Sequence, residues 1–98
     1  MKIMNLYINI PKKYLLFRKD AKEILAEVLA NKEIVRNVYL DFSKAAFFSR
    51  SFTDEFLNVI GDLSDRGVSV IIHNLNPKLK RMIDRIRTTK AEIQKAFS

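Results

Sequence analysis

The chain has 98 residues, enough for one small domain with a single core, spanning residues 1–98. Its 48% hydrophobic content argues for a packed fold, and the lack of cysteine excludes a disulfide framework, a thiol nucleophile and a cysteine-based zinc site. A formal charge of +7 favours acidic partners such as nucleic acid, an anionic membrane or an acidic protein surface.

Met1 to Ile10 lacks the apolar stretch and small-residue cleavage site of a signal peptide. No apolar run approaches the roughly 20 residues of a membrane helix, so a soluble, cytoplasmic protein is expected. Met4, Leu6, Ile8 and Ile10 alternate with Asn5, Tyr7 and Asn9, the period of a half-buried strand that Pro11 stops. Tyr14-Leu15-Leu16-Phe17 is a short apolar run that fits either a brief strand or a loop tucked against the core.

Asp20, with Glu23 three residues on, reads as the N-cap of a helix beginning at Arg18 to Asp20, and Ala21, Ile24, Leu25, Val28 and Leu29 follow at helical spacing. Asn31, able to take a left-handed conformation, is the expected end. The apolar run Val38 to Phe42 then reads as a buried strand. Ser51-Phe52-Thr53-Asp54 has capping-box spacing, which predicts a second helix with Ser51 as N-cap. Its stripe is Phe52, Phe56, Val59, Ile60 and Leu63, and Gly67 ends it. Val68 to Ile72 is expected to be a central strand covered on both faces. Asn76-Pro77 predicts a third helix, with Leu79, Met82, Ile83, Ile86, Ile93 and Phe97 on one face and basic residues on the other. The alternation implies an α/β fold: a small mixed sheet of about four strands flanked by three main helices.

Backbone N–H groups where a strand runs into a helix make the segment from Val38 to Phe56 the expected binding edge. The Asp54-Glu55 pair has no acid–base geometry, since adjacent helix residues point in different directions, and it is expected to stabilise the first turn. Asp41 reads as a loop cap bonding near Ser43. His73, the sole histidine, lacks carboxylate partners at ligand spacing. With Gly61 and Gly67 the only glycines, no phosphate loop or dinucleotide motif can be built. No catalytic residue, metal or cofactor is therefore expected. From Asn76 to Ser98 seven basic residues face two acidic ones, so this segment carries most of the surplus charge. Lys78, Arg81, Arg85 and Lys95 on the last helix form the candidate nucleic-acid surface, though aromatic interleaving for base stacking is missing. Of Phe47 and Phe48, one is expected to anchor the loop and the other to dock a partner.

Leu40-Asp41-Phe42-Ser43, followed by Ser51-Phe52-Thr53-Asp54-Glu55-Phe56, resembles the signature of small STAS-like domains, relatives of bacterial anti-sigma factor antagonists. Arg18 with Ala21, Gly67-Val68, and Asn74 through Ile86 extend the similarity over most of the chain. The resemblance implies a non-enzymatic regulatory module that binds a protein partner. That partner would be a histidine-kinase-type ATPase or an anti-sigma-like protein. In those relatives a serine at the start of the second helix is phosphorylated, and Ser51 falls at that position; Ser49, Arg50 and Phe52 depart from the residues usual around it. The docking set implied is Phe48, Ser49, Arg50, Ser51, Thr53, Asp54 and Glu55.

Overall fold

The computed structural model describes the backbone of residues 3–97 and the side chains of residues 3–87. The elements run β1 (Ile3–Asn9), β2 (Tyr14–Leu15), α1 (Arg18–Leu29), β3 (Ile34–Asp41), β4 (Phe47–Phe48), α2 (Arg50–Asp65), β5 (Ser69–His73) and α3 (Pro77–Phe97). The α/β alternation expected from the sequence is present. In place of one mixed sheet of about four strands, the described strands form two sheets, a three-stranded one ordered β1-β3-β5 and a two-stranded one of β2 and β4, and each pairing is parallel because a helix crossover joins the paired strands.

Strand alternation decides where the core sits. Ile8, Val35, Val38, Leu40 and Phe42 are buried and pack with Ala21, Ile24 and Val28 of α1, Phe52, Phe56, Val59 and Leu63 of α2, and Leu79 and Ile83 of α3. The other face carries Asn5, Tyr7, Asn9, Asn37, Tyr39, Asp41, Ser69, Ile71 and His73, all exposed or half-buried. Parallel sheets seldom leave a face uncovered. Here cross-strand side chains cover one another: Tyr7 and Tyr39 stack at 4.7 Å, Tyr39 and His73 at 5.6 Å, and Asn37 donates to Asn5.

This arrangement corrects the reading of Val68 to Ile72. The segment forms an edge strand, β5, and β3 is the central one. Its β-branched run reflects packing on one face and a half-buried Ile71 on the other, not burial on both. The first helix also ends differently. Asn31 does not adopt a left-handed conformation; its side-chain amide donates to the Glu27 and Val28 carbonyls, satisfying the helix end directly.

Other local signals are met as expected. Gly67 has φ +82°, its N–H donates to the Ser64 carbonyl, and the Val68 N–H donates to Leu63, which together close α2 in a Schellman motif. The Asn76 side chain accepts the Lys78 N–H, so α3 starts with Asn76 as cap and Pro77 first in the helix. Asp41 accepts the Ser43 N–H at 2.8 Å and the Asn74 side-chain amide at 3.3 Å. Led by the Ser43 amide, these donors lower its pKa and tie together the loops that leave β3 and β5.

Candidate functional site

β4 lies beside β2 in a two-residue ladder, Tyr14 opposite Phe47 and Leu15 opposite Phe48. Alternation sends Leu15 and Phe48 into the core and leaves Tyr14 56% and Phe47 49% exposed. Chain direction changes at Ser49. Its N–H donates to the Leu15 carbonyl at 2.9 Å and its hydroxyl donates to the Leu16 carbonyl. The same Oγ accepts the Phe52 N–H at 3.0 Å, which makes Ser49 the N-cap of α2.

Ser51 is therefore not the cap. It stands at the second helical position, exposed, where its hydroxyl serves no capping bond. Both serines are chemically suited to capping, and the choice between them is made by the tertiary bond from Ser49 to Leu16. The shift moves Asp54 and Glu55 out of the first turn. They meet Arg18 of α1 instead, at 3.2 and 3.4 Å, and join the starts of the two helices.

Two members of the docking set inferred from the sequence face inward. Phe48 and Thr53 have no exposed surface, because Phe48 packs on Phe42 and Phe52 while Thr53 donates its hydroxyl to the Ser49 carbonyl. Phe47, not Phe48, is the outward ring. Ser49 is half-buried and bonded as the cap, Asp54 and Glu55 are half-buried on Arg18, and Arg50 and Ser51 are exposed. The sequence reading missed Tyr14, Leu16 and Phe17. Leu16 is 40% and Phe17 57% exposed; Tyr14 lies opposite Phe47, and the Leu16 carbonyl is bonded by the Ser49 cap of α2. The unusual density of apolar residues between Lys13 and Arg18 was their signal in the sequence.

Of the four candidate nucleic-acid residues, Lys78, Arg81 and Arg85 come together. They line an open cleft of about 460 Å³ with Ala46, Phe47, Phe48, Leu79 and Met82. The side chain of Lys95 lies outside the described residues. No group of three or more metal-ligating side chains occurs among the described residues, and no described helix is long and apolar enough to cross a membrane.

No protein-family model and no curated protein matches this sequence. A solved structure does: the STAS domain of a SulP transporter from Vibrio cholerae aligns with a TM-score of 0.61 and 13% identity, over 84% of this chain and 70% of that one. The fold is that of a STAS domain. Within this STAS fold the start of α2 has two serines with separate duties, and substitution distinguishes them. Ser49→Ala is expected to lower stability by about 0.5–2 kcal/mol, the usual loss for a serine cap. Ser51→Ala is expected to stay within about 0.5 kcal/mol of the parent, as for an exposed residue. Urea unfolding of both variants checks this; equal losses, or a larger loss at Ser51, would contradict the assigned cap.

Proposed function

We propose that this chain is a non-enzymatic regulatory interaction module that docks a protein partner at the edge where β4 runs into α2, and that it acts in the cytoplasm. The observation that carries the proposal is the exposed apolar side chains of Tyr14, Leu16, Phe17 and Phe47, on β4 and on a β2 segment whose Leu15 and Leu16 carbonyls are bonded by Ser49, next to the exposed pair Arg50-Ser51. Large apolar groups held in water beside a polar rim favour association, and aromatic anchors usually carry most of its energy. The partner is a histidine-kinase-type ATPase or an anti-sigma-like protein, in keeping with the resemblance of Leu40 to Phe56 to anti-sigma factor antagonists.

Ser51 is the candidate switch in this reading. Its exposed hydroxyl is accessible to a kinase, and a phosphate there would sit at the positive end of α2 beside Arg50. Arg18 pairs with Asp54 and Glu55, which reduces their repulsion of such a phosphate. Added charge in the middle of the apolar patch would weaken docking.

The test is retention of a native partner from lysate of the protein's own host by the parent chain, Phe47→Ala, Ser51→Asp, and Tyr7→Ala on the open sheet face. Parent and Tyr7→Ala should retain the same protein. Phe47→Ala and Ser51→Asp should each retain it about tenfold more weakly or worse. Unchanged retention by both variants, or no specific partner for the parent, would overturn the proposal.

A further inference from the structure

We infer that the cleft between β4 and the first turns of α3 receives a short acidic segment of the partner, one that carries an apolar anchor residue. This inference rests on the docking reading and gives the chemistry of the partner. Lys78, Arg81 and Arg85 are spaced three and four residues apart, so they share one face of α3. All three line the cleft, and no carboxylate among the described residues lines it. Like charges gathered around a low-dielectric floor focus a positive field, which attracts acidic groups.

The floor sets the second requirement. Leu79 and Phe48 are buried beneath the cleft and Met82 is half-buried, while Phe47 forms an exposed wall shared with the docking edge. An inorganic anion would leave the apolar surface of Phe47 and Met82 in water. A leucine, methionine or phenylalanine side chain would cover it, and the flexible thioether of Met82 can adjust to the shape of the entrant. Lys78 to Arg85 spans about 10 Å along the helix at 1.5 Å per residue, the length of about three residues of extended chain. That footprint fits a peptide with an acidic residue on either side of the anchor. Nucleic acid fits less well, because a strand-tracking groove stacks successive bases on several aromatic faces and, among the described residues, this cleft has one exposed ring.

The test is selection of short random peptides on an immobilised array by the whole chain, by Arg81→Glu and by Lys78→Glu. Both substitutions are on exposed positions, and circular dichroism melts confirm that each variant folds. Peptides bound by the parent should be enriched in Asp and Glu flanking one aromatic or long aliphatic residue. Each variant should bind the selected peptides at least about tenfold more weakly, because reversal puts like charges together. No acidic enrichment, unchanged affinity in both variants, or stronger binding by a single-stranded oligonucleotide that displaces the peptides would overturn the inference. Retention of the native partner separates this failure from failure of the docking reading. Loss with Phe47→Ala but not with Arg81→Glu or Lys78→Glu leaves the edge in place and removes the acidic segment.

Discussion

Replacing Phe52 with alanine should lower the free energy of unfolding by about 3–5 kcal/mol, the usual cost of removing a buried phenylalanine. Phe52 has no exposed surface and lies in a run of four buried rings. Its centroid is 4.9 Å from Phe48 and 5.5 Å from Phe56, and Phe42 lies 5.3 Å from Phe48 and 5.5 Å from Phe56. These rings come from the residue that follows β3, from β4 and from α2, so the cluster fastens the start of α2 to the end of the central strand. Neighbouring rings are too rigid to close the cavity, which places the cost toward the top of the range. Domains of this size have about 5–15 kcal/mol to lose in total. Urea unfolding reads the loss directly, and a decrease below about 1 kcal/mol would contradict this packing.

Asp20→Ala should cost about 1–3 kcal/mol, because a buried carboxylate with charged and backbone donors is removed. Asp20 is 5% exposed and accepts from the Lys12 ammonium and, at 3.2 Å, from the Phe17 N–H. It is not the N-cap expected from the sequence but the third residue of α1, after Phe17 as cap, and from there it ties the turn after β1 to the start of the helix. Burial pushes its pKa up, but the Lys12 hydrogen bond, the Phe17 amide, the Lys12 charge and the Leu16 amide outweigh burial and hold it below the ordinary value. A carboxyl with a lowered folded-state pKa binds protons more weakly folded than unfolded. Its contribution is fully present above the unfolded value of about 3.9 and is lost as pH falls through the lower folded value. The stability gap between parent and Asp20→Ala should accordingly be constant near neutrality and shrink below about pH 4. A gap that widens in acid would contradict the assigned pairing.

Much of this fold was legible because its punctuation is local. Asn76-Pro77 and Gly67 act through their own backbone neighbourhood, and period-two alternation in β1 survives in the folded strand. Helical spacing likewise marks the buried faces of α1 and α2, except that Leu29, at the end of α1, is 48% exposed. What could not be read depends on distant contacts. Ser49 is chosen over Ser51 by the carbonyl of Leu16, which lies 33 residues earlier in the chain. Phe47 and Phe48 are chemically identical, and only the ladder to Tyr14 and Leu15 decides which one faces water. The same ladder brings Tyr14 beside Phe47, so the apolar patch is assembled from two segments that periodicity does not connect. β5 resembles a central strand because β-branched residues suit either position. Its place at the edge follows from strand order, which the hydrophobic pattern does not encode. With Ser49 as the cap, the Asp54-Glu55 pair lies in the second turn of α2, not the first-turn position its spacing from Ser51 predicts.

The central claim, that a partner docks where β4 meets α2, is tested most directly by amide chemical-shift mapping. Isotopically labelled protein is titrated with the partner that the parent chain retains. Docking at this edge should give the largest shifts at Tyr14, Leu16, Phe47, Arg50 and Ser51, with little change on the open sheet face at Tyr7, Tyr39 and His73. Shifts concentrated on that sheet face, with the start of α2 unmoved, would contradict it.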